Sequence, residues 1–232
     1  MEFMLLFLEP KGAARSGPEG FAAMKKFAGE LASQGKLRRG APLLDESVAA
    51  RVRMRGGKPL VSDGPFAETK EVLGGFWIIE VAGRAEALEI ARRSPHAGYG
   101  IVEVHLVQWR DAVADPGKGT PFLFAFHMEP GLSDPDGAKM REMVAFSETL
   151  KRDGSFIETA PLARDPLPAR IEVRGGKILV TDGPFAETKE GVGGYSLVRI
   201  ASRAEAIELA KRYPHAKWGP VEVREIMFFD RT

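Results

Sequence analysis

The sequence of 232 residues contains no cysteine, which excludes disulfides, thiolate zinc sites, iron–sulfur clusters and a cysteine nucleophile. It has no excess of charge, because 33 Lys and Arg residues oppose 32 Asp and Glu residues. Without surplus cations, the composition gives no argument for binding to nucleic acid or to an anionic membrane. No apolar run approaches the roughly 20 residues that span a bilayer, and the N-terminus lacks the features of a signal peptide. We therefore expect a cytoplasmic globular protein.

An internal repeat dominates the chain. Residues 61–71 (VSDGPFAETKE) return at 180–190 as VTDGPFAETKE, and residues 84–97 return at 203–216 with few changes, both at an offset of 119. A repeat of this length is a whole domain and not one turn of a solenoid. The repeat predicts unit 1 at residues 1–110 and unit 2 at residues 122–232, joined by a polar linker at 111–121.

Each unit shows the order β–α–β–β–β–α–β, with an irregular segment at 36–44 in unit 1. Residues 84–93 have helical periodicity, and residues 50–55 and 59–62 form a hairpin around Gly56 and Gly57. This order is typical of a ferredoxin-like α+β sandwich with both helices on one face of an antiparallel sheet. The last strands carry apolar residues on both faces, so we expect the two units to pack sheet to sheet across a pseudo-twofold axis.

The repeated motifs resemble those of the YCII-related family, specifically its DGPF branch. The resemblance is carried by DGPFAETKE at 63–71 and 182–190, by the following Gly-Gly strand, and by the PHA and GxVEV segments of each unit. It implies a dimeric α+β barrel. Members are typically homodimers of one unit, so this chain looks like such a dimer fused into one polypeptide.

The resemblance also implies an Asp/His site without naming a substrate. The family includes a chloromuconolactone dehalogenase-like group, and genes of the DGPF branch often lie near those of extracytoplasmic-function sigma factors. On this basis the catalytic candidates are Asp63 with His96 in unit 1 and Asp182 with His215 in unit 2. The ligand-binding candidates are Glu68, Lys70, Glu187, Lys189 and Arg224.

Chemistry and structure compete as explanations of these residues. A histidine beside a carboxylate could move a proton next to a carbonyl or in a lactone. Alternatively, the Asp makes an Asx-turn, Gly64 supplies an unusual φ, Phe66 lies in the core and His96 caps a helix end. Trp77, Tyr99, Tyr195 and Trp218 either line an apolar pocket or belong to the core.

The two units differ at one strand position that bears on ligand charge. Arg224 of unit 2 aligns with His105 of unit 1, and residues two apart on a strand share a face, so Glu222 and Arg224 should point together. An arginine can hold a carboxylate with two parallel hydrogen bonds. We therefore expect Asp182, His215 and Arg224 to form the working site, and the unit 1 site to be weaker or altered.

The function that the sequence supports best is binding of an unidentified small molecule, an anion being one option, with two related clefts in one pseudo-dimeric chain. Whether the protein is an enzyme using acid–base chemistry stays open. No cofactor or metal is expected, because His105 and His127 lack the spacing of metal ligands. The alternatives are a regulatory protein that acts through protein contacts, linked to sigma-factor-dependent transcription, and a scaffold without catalysis.

Overall fold

The computed structural model describes residues 1–12, 17–67, 69–129, 131–164, 167–183 and 191–229. Unit 1 contains β1 (Glu2–Pro10), α1 (Pro18–Ser33), β2 (Leu37–Pro42), β3 (Ala50–Arg55), β4 (Lys58–Asp63), β5 (Glu71–Glu80), α2 (Arg84–Arg93) and β6 (Ile101–Leu106). A short strand, β7 (Asp111–Ala112), follows in the linker. Unit 2 contains β8 (Thr120–Met128), α3 (Ala138–Arg152), β9 (Phe156–Pro161), β10 (Ala169–Arg174), β11 (Lys177–Asp182), β12 (Gly191–Ile200), α4 (Arg203–Arg212) and β13 (Val221–Glu225). Short 3₁₀ helices lie at Glu46–Val48, Pro95–Gly98 and Pro214–Lys217.

The strands form two antiparallel sheets, and each sheet takes a hairpin from the other unit. The order β11-β10-β6-β1-β5-β2 makes the first sheet, which with α1 and α2 is called lobe 1. The order β4-β3-β13-β8-β12-β9-β7 makes the second, which with α3 and α4 is called lobe 2. Hairpin β3–β4 of unit 1 therefore belongs to lobe 2, and hairpin β10–β11 of unit 2 belongs to lobe 1. A lobe is thus not the same set of residues as a sequence unit.

The exchanged hairpins are held by burial as well as by backbone hydrogen bonds. Val52 of β3 pairs with Val221 of β13 and is completely buried among the residues under α3 and α4. Ile171 of β10 pairs with Val102 of β6 and is likewise buried in the core of lobe 1. Separating the lobes would expose these side chains to water, so the exchange ties the two units together.

The two sheets pack face to face, as the sequence predicted. Alternate residues of β1 and β5 in lobe 1 meet alternate residues of β8 and β12 in lobe 2, and both sets are fully buried; the members are Met4, Leu6, Phe76, Ile78, Leu123, Tyr195 and Leu197. The intervening residues of each strand pack under the helices, which cover the outer faces of the sheets. The α+β class and the packing of two ferredoxin-like units are confirmed.

The local predictions were mostly accurate at helices and turns. Helix α2 covers Arg84–Arg93 as its periodicity indicated. The turn between β3 and β4 uses Gly56 and Gly57, whose φ angles are +56° and +76°. The prediction of an irregular segment at 36–44 was wrong, because Leu37–Pro42 pairs with β5 as strand β2.

Arg39 and Glu158 occupy equivalent positions in the two units and meet across the pseudo-twofold axis. Arg39 Nε donates to Glu158 Oε2 at 2.9 Å, and the two residues are 119 apart in sequence, which is the repeat offset. Glu158 is fully buried and also accepts a hydrogen bond from the Tyr195 hydroxyl at 2.9 Å. In a dimer of two identical units, the same side chain would face itself at this position.

Candidate functional site

Both aspartates of the predicted Asp/His pairs lie on the exchanged hairpins and are exposed. Asp63 ends β4 and forms an ion pair with Arg203, the first residue of α4. Asp182 ends β11 and forms the equivalent ion pair with Arg84, the first residue of α2. Arg203 also donates to the main-chain oxygen of Val48 at 2.7 Å. These contacts fasten each hairpin to a helix of the lobe that receives it.

The structure does not bring either aspartate to a histidine. Asp63 lies in lobe 2 and His96 in lobe 1, and the exchange separates Asp182 from His215 in the same way. The hairpin places Asp63 in the lobe of His215, but Asp63 is at the start of α4 and His215 follows its end. The ten residues of α4 span roughly 15 Å, too far for a hydrogen bond. The predicted Asp/His proximity is therefore not what the fold provides.

The two histidines are buried and bound in the same way to a main-chain oxygen. Nε2 of His96 lies 3.0 Å from the Leu8 oxygen, and Nε2 of His215 lies 2.8 Å from the His127 oxygen. Because a carbonyl oxygen only accepts, each Nε2 must carry a proton, which assigns the tautomer. Burial lowers the pKa of His96, and it lowers the pKa of His215 to about 4, although the hydrogen bond of each ring to a main-chain oxygen opposes the effect. Both rings are therefore neutral near pH 7, with Nδ1 left as the unprotonated acceptor.

A glycine covers each of these hydrogen bonds. A Cβ on Gly100 would lie 2.3 Å from His96 Nε2, and a Cβ on Gly219 would lie 2.3 Å from the His127 oxygen. Neither contact is sterically possible, so only glycine permits the strand to approach the ring this closely. The glycine of the GxVEV segment thus keeps the histidine in its position.

Each lobe contains a cavity between its first helix and the sheet, with the histidine in the wall. The lobe 2 cavity has a volume of about 580 Å³, and the equivalent lobe 1 cavity about 230 Å³. Lobe 2 lining residues come mainly from α3, β9 and β12, and they include the apolar side chains Phe126, Met128, Leu132, Met140, Met143 and Trp218. Gln108 and Trp109 of unit 1 complete the wall, as Met227 and Phe228 of unit 2 do in lobe 1.

Trp77 narrows the lobe 1 cavity and has no counterpart in lobe 2. Trp77 lines the lobe 1 cavity and packs edge-on against Phe7 at 4.8 Å between ring centroids. The equivalent residue in lobe 2 is Ser196, which does not reach the cavity and instead donates to the Thr159 hydroxyl at 2.7 Å. Gly40 accommodates the tryptophan in lobe 1, since a Cβ there would lie 2.4 Å from its ring.

Tyr213 fills the corresponding core space in lobe 2 from the opposite side. Its ring contacts Phe126 and Phe146, the equivalents of the phenylalanines that Trp77 contacts in lobe 1. The residue equivalent to Tyr213 is Ser94. Gly40, Trp77 and Ser94 in lobe 1 therefore correspond to Thr159, Ser196 and Tyr213 in lobe 2, and the second arrangement leaves the larger cavity.

Arg224 lies between the sheets and away from both cavities. Its Nη1 donates to Glu222 at 3.1 Å and its Nη2 to the Leu44 oxygen at 2.9 Å, and its side chain is about 1% exposed. Glu222 also accepts hydrogen bonds from Arg51 and from His127, both at 2.9 Å. Burial raises the pKa of Glu222, but the hydrogen bond from His127 and the nearby arginines lower it further, so the carboxyl stays ionised.

Lobe 1 has a related buried network. Glu103 accepts hydrogen bonds from His105 at 2.8 Å and from Arg170 at 2.7 Å, and Arg170 also binds Glu71 through two hydrogen bonds. Glu222 and Arg224 share a face of β13 as predicted, and Glu103 and His105 share the equivalent face of β6. That face is the interface between the sheets, so Arg224 does not meet Asp182 or His215 in a cleft.

The DGPF motif of unit 1 connects the exchanged hairpin back to its own lobe. A Cβ on Gly64 would lie 2.0 Å from the Glu46 oxygen, so the required feature is the missing side chain and not an unusual φ. Phe66 is buried, and the Arg51 guanidinium lies over its ring at 4.3 Å. Lys70 is exposed, and its main-chain oxygen accepts a hydrogen bond from Lys11. Glu68, Glu187 and Lys189 lie outside the described residues.

The described residues contain neither a cluster of metal ligands nor a membrane-spanning helix. In the ranges that the structure covers, no group of three or more His, Cys, Asp or Glu side chains could hold a metal ion. Within the same ranges, none of the helices has the length and apolar character to cross a membrane.

The model of the YCII-related domain matches the chain twice, at residues 1–110 and at residues 121–230. The chain belongs to the YCII-related family. An uncharacterised protein of Rhizobium meliloti (strain 1021) is 50% identical over 58 residues, which is 25% of this chain. The match spans 47% of that relative's own length.

Within this YCII-related chain, the sequence predictions named the two histidines that line the cavities but few of the other lining residues. Trp77, Tyr99 and Trp218 do line cavities, whereas Tyr195 is a core residue whose hydroxyl binds Glu158. The internal repeat contains the information that would have predicted the difference between the two cavities. Comparing the units position by position shows that Trp77 is replaced by Ser196 and Gly40 by Thr159, both on strands under the first helix.

Proposed function

We propose that this chain binds a small, largely apolar molecule in the lobe 2 cavity, with His215 as its polar anchor. The observation that carries the proposal is the cavity of about 580 Å³ with a buried neutral histidine in its wall. Binding sites for small molecules commonly have volumes of roughly 300–1,000 Å³ and a few polar groups in an apolar wall. The lobe 1 cavity, at about 230 Å³, falls below that range.

The chemistry of His215 supports binding more than proton transfer. Its Nε2 is occupied by the His127 oxygen, so Nδ1 is the nitrogen available to accept a hydrogen bond. A general base works best when its pKa lies near the working pH, and the pKa of His215 is about 4. The ion pair of Asp63 with Arg203 leaves no aspartate from the predicted dyads beside this ring. A hydroxyl or N–H donor on the ligand would suit Nδ1.

The cavity also favours ligand binding over the two other functions that the sequence left open. A regulatory role through protein contacts and a scaffold role do not require an apolar cavity that is open to solvent. The cavity is built from both units, since Gln108 and Trp109 of unit 1 lie in a wall otherwise formed by unit 2. Fusion of the units keeps this composite wall together.

A neutral fluorescent probe tests the proposal. N-Phenyl-1-naphthylamine becomes fluorescent in apolar surroundings, and we expect it to bind the wild-type protein at one site. Trp109→Ala removes a wall of the lobe 2 cavity and should weaken binding about tenfold. Phe228→Ala removes the equivalent wall residue of lobe 1 and is the matched control, which should leave the affinity unchanged.

A second variant closes the cavity by importing the lobe 1 arrangement. Thr159→Gly, Ser196→Trp and Tyr213→Ser together should abolish probe binding while the far-UV spectrum is kept. Equal loss of affinity in Trp109→Ala and Phe228→Ala, or unchanged binding in the triple variant, would contradict the proposal.

A further inference from the structure

Two cations, Lys139 and Arg164, stand at the edge of the lobe 2 cavity. Lys139, in the first turn of α3, donates to the Ser133 oxygen at 2.7 Å, and Arg164 donates to the Leu132 oxygen at 2.8 Å. Both residues line the cavity. Among the described residues, neither forms an ion pair within 4.0 Å of a carboxylate oxygen. Each retains N–H donors beyond the one in use.

The one carboxylate among the described lining residues of this cavity already accepts hydrogen bonds from the main chain. Asp134 accepts hydrogen bonds from the main-chain amides of Lys139 and Met140, at 3.0 and 2.9 Å, and so caps α3. Desolvation raises the pKa of Asp134, but these two hydrogen bonds and the charges of Lys139 and Arg141 together lower it further, so it stays ionised. With His215 neutral, the two cations and Asp134 leave the cavity with one net positive charge.

The narrower lobe 1 cavity lacks these cations. The residue equivalent to Lys139 is Gly20, and the residue equivalent to Arg164 is Asp45. Asp45 accepts a hydrogen bond from the Ser47 amide and caps a 3₁₀ helix. The described lining of the lobe 1 cavity contains one cation, Lys25, and one carboxylate, Glu9, so it has no net charge. The larger volume and the net positive charge therefore occur together in lobe 2 only, although both lobes keep the histidine and its carbonyl partner.

Resting on the proposed function, we infer that the ligand of the lobe 2 cavity is an apolar molecule with one acidic group. The acidic group lies at the edge, where Lys139 and Arg164 donate to it, and the apolar body enters the cavity beside Met140, Met143 and Trp218. Arginine supplies a planar pair of donors that suits a carboxylate or a sulfonate.

A matched pair of probes separates the two proposals. 1-Anilinonaphthalene-8-sulfonate has the same ring system as N-phenyl-1-naphthylamine and adds one negative charge. We expect the sulfonate to bind the wild-type protein more tightly at low salt, and salt to weaken it selectively. The double variant Lys139→Gln with Arg164→Gln should weaken sulfonate binding roughly tenfold and leave the neutral probe unchanged. Lys36→Gln with Arg38→Gln removes the same charge from two residues of lobe 1 that do not line this cavity, and should change neither affinity.

The outcomes distinguish this inference from the proposed function. If the neutral probe binds but the sulfonate binds no better, or if the double variant weakens both probes alike, the inference is wrong and the cavity proposal stands. If neither probe binds the wild-type protein, the proposed function is wrong and the inference falls with it. Because Lys139 and Arg164 lie at the surface, retention of neutral-probe binding also reports that the variant is folded.

Discussion

Replacing Arg39 with methionine should destabilise the protein far more than the same change one residue earlier. Arg39→Met keeps the length of the side chain but leaves Glu158, which is completely buried, without its nearest cation. Removing one partner of a buried ion pair costs roughly 3–5 kcal/mol of unfolding free energy. Two neighbours of Glu158 remain, the Tyr195 hydroxyl at 2.9 Å and Arg110 at 3.6 Å. We therefore expect a loss of about 2–3 kcal/mol.

The control is Arg38→Met on the same strand. Arg38 pairs with Glu80, and both side chains are more than 40% exposed. An exposed ion pair contributes about 0–1 kcal/mol, so this change should have little effect. Urea unfolding followed by circular dichroism measures the unfolding free energy of both variants. In thermal unfolding, the Arg39→Met variant of a chain of this size should melt roughly 4–12 °C lower than the wild-type protein.

The difference in unfolding free energy between the two variants tests whether the Arg39–Glu158 contact holds the lobes together. A loss below about 1 kcal/mol in Arg39→Met, or equal losses in both variants, would show that the contact across the pseudo-twofold axis does not hold the lobes together. An unchanged urea dependence of the unfolding free energy would show that the variant loses stability without a change in the surface exposed on unfolding.

Three further predictions concern the histidine and its cavity. Burial depresses the pKa of folded His215 to about 4, while the unfolded ring titrates at about 6.5. The unfolding free energy should therefore fall by up to roughly 3 kcal/mol as the pH drops from the higher to the lower of these values. His215→Gln should flatten this fall. Stability at pH 7.5 and pH 5 measures this, and an equally steep fall in the variant would contradict it. Gly219→Ala should destabilise the protein by several kcal/mol because its Cβ meets the His127 oxygen at 2.3 Å. Gly98→Ala, whose Cβ meets nothing within 4 Å, is the control and should change stability by less than about 1 kcal/mol. Gly40→Thr, Trp77→Ser and Ser94→Tyr together should open lobe 1, so that the neutral naphthylamine probe binds at two sites per chain, and one site would refute the role given to Trp77.

Much of the fold could be predicted because its signals are local. The helix at Arg84–Arg93, the glycine turn after β3 and the shared face of Glu222 and Arg224 follow from periods of 3.6 and 2. Strand β2 was missed because its evidence is distant. Arg39 looks out of place in a buried strand until Glu158 of the other unit is known to face it.

The exchange of hairpins could not be predicted, for a physical reason. Strand β3 needs a neighbour with the pattern Val-Glu-Val, and the chain contains that pattern at 102–104 and at 221–223. Both neighbours would bury Val52 and would offer a glutamate to Arg51, so the sequence does not distinguish them. The predicted proximity of Asp63 to His96 depended on this choice. The exchange sends Asp63 to the other lobe, where it binds Arg203 instead.

Fusion of the two units into one chain explains how the two copies of the repeat can differ in structure. In a symmetric dimer every substitution appears twice, so a tryptophan that narrows one cavity narrows both, and an arginine on the axis meets another arginine. In one fused chain, unit 1 packs against unit 2, and the exchanged hairpins hold the two units in that arrangement. Arg39 can then be an arginine because position 158 is a glutamate, and Trp77 can fill lobe 1 while Ser196 leaves lobe 2 open. It follows that two copies of unit 1 should not replace the natural pair, because they would set Arg39 against Arg39 at a buried site and would contain neither Lys139 nor Arg164.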